Sequence, residues 1–139
     1  MMRKYIDANI FVNSVLYNDE RAHQCIKIIS KIIKKEMIGI TSVLTWDEFI
    51  YVIHKNLGKE IAIHEGEKFL KLPNLFFIDA DKNIIMHAQK IMEEHNLKPR
   101  DAIHLASALS ENISEIISDD SDFDKIKEIK RISPEHFKY

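Results

Sequence analysis

Alternation between short apolar segments and amphipathic segments is the feature that most constrains the fold of this chain. We predict strands over residues 3–6, 37–41, 75–78 and 115–118, with a last edge strand over 130–133. Apolar residues at helical spacing predict helices over 8–17, 19–36, 43–56, 59–72, 81–95 and 99–111. Strands that alternate with helices usually pair in parallel. The pattern therefore predicts an α/β sandwich with a central parallel sheet flanked by helices.

The chain has 139 residues, which fits one domain, because two domains would each lie near the lower size limit. We therefore predict a single domain over residues 1–139. The sequence has one cysteine, Cys25, so an intramolecular disulfide is excluded and a cytoplasmic location is expected. Cys25 also lies on an apolar helical stripe, which favours a core position.

Neither a signal peptide nor a membrane span is predicted. Asp7 comes too early in the sequence for an apolar leader region to form before it, and no apolar run approaches the ~20 residues that cross a bilayer. The formal charge is −2, whereas a protein that binds nucleic acid through charge alone should be basic. Metal ions or a local lysine patch would have to offset the acidic groups in a nucleic-acid binder.

Acidic residues follow most of the predicted strands. Asp7 follows the first strand, Glu48 lies in the helix after the second strand, and an acidic loop over residues 119–124 follows the fourth strand. In open parallel sheets, ligands bind outside the carboxyl ends of the strands, so these acids are candidates for one site. Asp79, which follows the third strand, is more simply interpreted as the N-cap of the next helix.

Glu48 lies on one helical line with Leu44 and Val52. A charged side chain in this apolar line is costly unless it is paired or bound to a metal ion. A salt bridge to a lysine is the structural alternative to a functional role.

Asp101 follows Pro99 at the start of the sixth helix, where the helix dipole favours an acid whatever its function. The small residues Ala102 and Ala106 indicate close packing and favour a site. His104, one turn later, is more readily interpreted as a satisfied core histidine, although it could orient Asp101 or contact a substrate.

The loop over residues 119–124 contains four acidic residues. An acidic loop of this kind is usually just exposed to solvent and has no function. It lacks the glycine and the distal glutamate of a calcium-binding loop. Its position after a buried strand is what makes it a candidate.

If Asp7, Glu48, Asp101 and Asp120 converge, they cannot all stay ionised without a partner, because two carboxylates about 4 Å apart repel by about 4 kcal/mol at an effective dielectric of ~20. A site made of carboxylates alone favours Mg²⁺ or Mn²⁺ over Zn²⁺. Such a site can activate water and stabilise the attacking and leaving oxygens of a phosphodiester.

The segments 5–9, 41–49, 100–106 and 117–123 together resemble, in order and spacing, the four motifs of the PIN domain family. The resemblance covers nearly the whole chain. It implies a three-layer sandwich with a central parallel sheet and Mg²⁺- or Mn²⁺-dependent cleavage of single-stranded RNA. Many family members of this length are VapC-type toxins, which usually form homodimers and are inhibited by a small antitoxin.

Carried over to this chain, the resemblance implies the following roles. Asp7, Glu48, Asp101 and Asp120 would bind the metal ion, with Asp122 assisting, and the choice between Asp120 and Asp122 stays open. Asn9 and Ser118 would support Asp7 and the metal-bound waters through hydrogen bonds, and Arg100 would hold RNA phosphates. His104 is retained as a possible substrate-binding residue.

Three other functions remain to be weighed. The same fold could serve as a catalytically silent module that binds RNA or protein. A receiver-type phosphoryl acceptor would use a lone aspartate after a central strand, which Asp79 could supply, together with a distal lysine in a context that this sequence does not clearly offer. A haloacid-type phosphatase requires a second acid two residues after the first, and Asn9 occupies that position after Asp7.

Overall fold

The computed structural model describes residues 2–138. Within these residues, five strands form one sheet in the order β3-β2-β1-β4-β5, and every strand pair is parallel. The strands are β1 (Arg3–Ile6), β2 (Ile38–Ser42), β3 (Leu75–Ile78), β4 (Glu115–Ile117) and β5 (Lys130–Ile132). The predicted parallel α/β fold, including its last edge strand, is confirmed.

Six α-helices connect the strands, and their ends lie within a few residues of the predicted ones. They are α1 (Ala8–Leu16), α2 (Glu20–Ile33), α3 (Leu44–Leu57), α4 (Lys59–Leu70), α5 (Lys82–Glu94) and α6 (Pro99–Ser110). Two 3₁₀ turns, Ser121–Lys125 and Pro134–His136, were not predicted. The single domain over residues 1–139 stays a prediction, and its first and last residues, Met1 and Tyr139, lie outside the described part of the chain.

The sheet separates two apolar cores, which gives the three layers of the predicted sandwich. Because side chains alternate along a strand, Tyr5 and Ile116 belong to the core beneath α5 and α6, whereas Ile6 and Ile117 belong to the core beneath α1 to α4. Cys25 is fully buried in the second core, which confirms its predicted core position. Among the described residues, no helix combines the length and apolarity needed to cross a bilayer.

The prediction that Asp79 caps the helix after β3 is wrong. Asp81 is the N-cap of α5, and its carboxylate accepts a hydrogen bond from the backbone N–H of Ile84 at 3.0 Å. The chain therefore continues for two residues beyond Asp79 before it turns into the helix. Asp79 is also exposed and follows an edge strand, which does not match the central position of a receiver-type acceptor.

The strand order creates a crevice between β1 and β4. The chain reaches one edge of the sheet at β3, crosses over through α5 and α6, and returns to the other side of β1 as β4. In parallel α/β sheets a reversal of this kind leaves a crevice at the carboxyl ends of the strands, where ligands bind. The backbone N–H of Asp7 donates to the carbonyl of Ile117 at 3.0 Å, which places the residues following β1 and β4 side by side.

Candidate active site

The four predicted acids line one cavity at the carboxyl ends of β1 and β4. Asp7, Glu48, Asp101 and Asp120 all contribute to the wall of this cavity, which has a volume of about 380 Å³. They come from four separate segments of the chain, so tertiary folding alone brings them together. We call this cavity the acid pocket.

Asp7 is held in a single orientation by donors from the protein. It is the N-cap of α1, and its Oδ1 accepts from the backbone N–H of Ala8 at 2.8 Å. Its Oδ2 accepts from the hydroxyl of Ser118 at 2.5 Å and from the amide of Asn9 at 3.2 Å. The carboxylate is buried, and the burial raises its pKa, an effect that the charge of His104 and the Ser118 hydrogen bond partly offset.

Asn9 and Ser118 also connect the loop after β1 to the loop after β4. The Asn9 amide oxygen accepts from the backbone N–H of Asp119 at 3.1 Å. The Ser118 hydroxyl accepts from the backbone N–H of Asp120 at 3.0 Å. Both residues thus lie beside Asp7, as the supporting role predicted for them requires, and they fix the start of the acidic loop.

The partner of Glu48 is a histidine and not the lysine that the structural alternative required. Its Oε1 lies 2.5 Å from Nε2 of His104, and the hydroxyl of Tyr5 lies 2.6 Å from Nδ1 of the same ring. The imidazole therefore has a hydrogen-bond partner on both nitrogens. Burial lowers the pKa of His104, but the hydrogen bond to Glu48 and the charge of Asp7, whose Oδ1 lies 3.7 Å from Nε2, outweigh it and raise the pKa.

This geometry corrects the assignment of His104 to substrate binding. The residue has no exposed surface, so it cannot touch a substrate, and it is a satisfied core histidine as the sequence favoured. It contacts Glu48, and its charge also acts on Asp101 without a hydrogen bond to it. We expected that His104 could orient Asp101, but its hydrogen bond positions Glu48 instead.

Asp101, Asp120 and Asp122 form the more open side of the site. One carboxylate oxygen from each lies within 4.8 Å of the others, and all three residues are half-buried. Burial, followed by the charge of Asp120, raises the pKa of Asp101 to about 7. The Oδ1 of Asp120 accepts from the backbone N–H of Asp122 at 2.9 Å. Both candidates for the fourth ligand therefore lie beside Asp101, and the choice between them stays open.

Arg100 lies at the rim of the acid pocket. Its side chain is 62% exposed, and its guanidinium lies 4.0 Å from the carboxylate of Asp47, which is equally exposed. A pair this loose and this solvated contributes little to stability, so the guanidinium can exchange Asp47 for another anion.

Tyr5 and Tyr51, two tyrosines that support or line the acid pocket, are among the residues that were not predicted. Tyr5 supports His104 from β1, and its position two residues before Asp7 on the same strand face could have indicated a common environment. Tyr51 lines the pocket one turn after Glu48. Its helical spacing from Glu48 was a usable signal, but spacing alone does not distinguish a pocket residue from a solvated one.

The residues present fit a divalent cation. Five carboxylates lie at the carboxyl ends of the strands, three of them with oxygens within 4.8 Å of one another, and supply the oxygen donors that Mg²⁺ and Mn²⁺ prefer. Burial first, and then the charge of Asp120, raises the pKa of Asp101, and a bound cation would offset both because it favours the ionised carboxylate.

The fold and the acid pocket together define a parallel α/β protein with an acidic site at the switch point of its sheet. The chain belongs to the PIN domain family, whose family model matches residues 4–129. The resemblance seen in the four sequence motifs is thereby confirmed.

The chain is similar to a ribonuclease and to toxins of known structure. Ribonuclease VapC6 of Methanocaldococcus jannaschii is 26% identical over an alignment that covers 92% of this chain and 95% of that protein. VapC20 of Mycobacterium tuberculosis, a toxin that cleaves the sarcin–ricin loop, superposes with a TM-score of 0.74 at 14% identity and covers 88% of this chain and 94% of its own. A toxin–antitoxin complex from Klebsiella pneumoniae gives a TM-score of 0.66 at 21% identity, with coverages of 94% and 97%.

Proposed function

We propose that this protein is a Mg²⁺- or Mn²⁺-dependent endoribonuclease that cleaves single-stranded RNA. The observation that carries the proposal is the convergence of Asp7, Glu48, Asp101 and Asp120 on one pocket in a chain of the PIN domain family. The similarity to a protein named as a ribonuclease and to a toxin that cleaves the sarcin–ricin loop supports the reaction class.

Metal binding would be shared among the carboxylates of the acid pocket. Asp101 and Asp120, with Asp122 beside them, would supply ligand oxygens on the open side, and Asp7 and Glu48 would supply them on the buried side. The cation would lower the pKa of a bound water and stabilise the oxygens of the phosphodiester. It would also explain how an acidic pocket accepts a polyanion.

The protein's own groups have separate tasks in this scheme. Ser118, Asn9 and the Ala8 backbone N–H fix the direction in which Asp7 presents its oxygens. His104 fixes Glu48 in the same way. Pre-set groups lower the barrier because they need no reorganisation during the reaction. Arg100 at the rim would hold a phosphate of the RNA.

The same proposal includes a role for the protein in a toxin–antitoxin pair. The similarity to a toxin–antitoxin complex supports a role as the toxin of such a pair, restrained by a protein antitoxin. A homodimer and a cytoplasmic location, expected from the family resemblance and from the single cysteine, belong to this proposal and need separate tests.

The experiment that tests the nuclease proposal is cleavage of end-labelled single-stranded RNA with Mn²⁺, with EDTA, and with the Glu48→Gln variant. Glu60→Gln on α4, outside the acid pocket, is the matched control. We expect cleavage that requires both the metal ion and Glu48 and that survives Glu60→Gln. RNA binding without cleavage at any metal concentration would instead favour the silent binding module.

A further inference from the structure

Tyr51 is an exposed aromatic residue at the edge of the acid pocket. It lies on α3 three residues after Glu48, lines the pocket together with Val52 and Arg100, and is 63% exposed. Single exposed aromatic residues are common on protein surfaces, and what distinguishes Tyr51 from the exposed Tyr17 is its position in the lining of the acid pocket.

The same tyrosine also lines a second cavity along α3. This neighbouring cavity, of about 450 Å³, is lined by six residues of α3, which are Trp46, Asp47, Ile50, Tyr51, His54 and Lys55. Trp46 is 41% exposed. Tyr51 therefore joins the acid pocket to a groove that offers a second aromatic ring and cationic or ionisable side chains. We call this continuous surface the α3 groove.

The composition of the α3 groove matches single-stranded nucleic acid. Unpaired bases stack on aromatic rings, and the phosphates between them pair with cations. Lys55 lines the second cavity together with Tyr51, and Arg100 lines the acid pocket together with Tyr51. The carboxylates repel the phosphate backbone, so aromatic and cationic contacts outside the pocket are where binding energy for RNA can come from.

We propose that Tyr51 is a stacking platform for an unpaired RNA base next to the phosphate held at the acid pocket, and that the α3 groove binds the adjoining nucleotides. The proposal rests on the proposed nuclease function and adds the residue that sets the requirement for a single strand. A base inside a duplex has both faces covered by its neighbours and cannot stack on Tyr51.

The first test is the binding of a labelled ten-nucleotide oligouridylate, measured by fluorescence anisotropy with Mn²⁺ in a Glu48→Gln background that prevents cleavage. We expect Tyr51→Ala to weaken binding about tenfold, because it removes one stacked base. Tyr51→Phe should keep the affinity within about twofold, since the ring remains. Tyr17→Ala is the matched control, because Tyr17 is 56% exposed and lies at the end of α1.

The second test removes the base instead of the ring. An oligonucleotide with one abasic position is scanned along the sequence in the same assay. We expect one position where base removal weakens binding about tenfold in the protein with Tyr51 and has no effect in Tyr51→Ala. Equal losses in both proteins at every position, or unchanged affinity in Tyr51→Ala, would overturn the platform.

The outcomes separate this inference from the proposed nuclease function. A protein with Glu48 that never cleaves RNA, while the Tyr51 effects on binding persist, would defeat the nuclease and leave the platform standing. A protein that binds no RNA would defeat both. If Tyr51→Ala changes the sedimentation coefficient while RNA affinity stays the same, the α3 groove contacts a second copy of the chain and the platform is wrong.

Discussion

The acid pocket has two halves that the protein holds in different ways. In the tied half, Asp7 and Glu48 are kept in place by the hydroxyl of Ser118, the amide of Asn9 and the imidazole of His104. In the open half, Asp101, Asp120 and Asp122 are more exposed and lie close together, so that the negative charge of Asp120 acts on Asp101.

The difference indicates in which half the negative charge still needs a metal ion to balance it. Hydrogen-bond donors and a nearby histidine charge already balance part of the negative charge in the tied half. In the open half, burial and then the charge of Asp120 raise the pKa of Asp101 to about 7. Cation binding should therefore change the open half most, while the tied half is already arranged for it.

The largest expected effect on RNA cleavage comes from substituting Asp7, the central carboxylate of the tied half. Asp7→Asn should lower metal-dependent RNA cleavage at least about 100-fold, because an amide removes a charge that the reaction uses. The fold should survive, since an asparagine oxygen can still accept the Ala8 N–H that starts α1. Cleavage rate and circular dichroism are compared with Asp79→Asn, an exposed acid after an edge strand. An unchanged rate in Asp7→Asn would remove Asp7 from the site.

The second prediction concerns the open half. Saturating Mn²⁺ should stabilise the protein, by about 2.7 kcal/mol at a free concentration one hundred times the Kd, because it binds the native state alone. Asp101→Asn should abolish most of this gain. Thermal melting with Mn²⁺ and with EDTA measures both values, and Asp79→Asn again serves as the control. No rise in the melting temperature at millimolar Mn²⁺ would argue against a metal site.

A smaller effect should appear as a dependence of stability on pH without metal. The pKa values of Asp101, Asp7 and His104 are all raised in the folded protein. The folded state then binds more protons than the unfolded state, so stability falls as pH rises. For Asp101 the loss runs from its ordinary value near 3.8 up to about 7. In EDTA we expect a lower melting temperature at pH 8 than at pH 5.

Asp101→Asn should reduce this pH dependence and, at pH 8 without metal, should raise the melting temperature. A variant that loses metal binding yet gains stability would be the clearest sign that the open half is strained by charge. Identical melting profiles for the two proteins from pH 5 to pH 8 would contradict the repulsion argument.

The smallest expected effect comes from the buried end of the tied half, at Tyr5. Tyr5→Phe keeps the ring but removes the hydroxyl that bonds Nδ1 of His104. A buried nitrogen left without its partner costs about 1–3 kcal/mol of stability. Because His104 still contacts Glu48, the cleavage rate should fall much less than in Asp7→Asn. Chemical denaturation gives the first value and RNA cleavage the second; a loss of activity as large as that of Asp7→Asn would show that Tyr5 does more than support the imidazole.

Features that depend on local spacing were predictable from the sequence. The strands end where their apolar runs end, and Asp7 and Ser118 directly follow β1 and β4. Parallel pairing then places those residues at the same edge of the sheet. The charged position of Glu48 on an apolar helical line likewise indicated a special environment, because its cost is a local property.

Features that depend on distant residues were not predictable in the same way. The partner of Glu48 is His104, which is 56 residues away, and helical periodicity contains no information about what packs across a layer. The cap of α5 differs by two residues from the prediction because either Asp79 or Asp81 satisfies the sequence rule. The position of Asp122 next to Asp120 depends on a 3₁₀ turn that the sequence pattern did not indicate.

The hydrogen bond between Ser118 and Asp7 has a consequence for the timing of biosynthesis. The two residues are 111 positions apart, so a ribosome that adds ~5–20 residues per second needs roughly 6–22 s after Asp7 before its partner is made. A truncated product that ends before Ser118 would contain Asp7, Glu48 and Asp101 without the strand that brings them together. The acid pocket therefore cannot form until the ribosome has passed Ser118, well after Asp7 and Glu48 have been made.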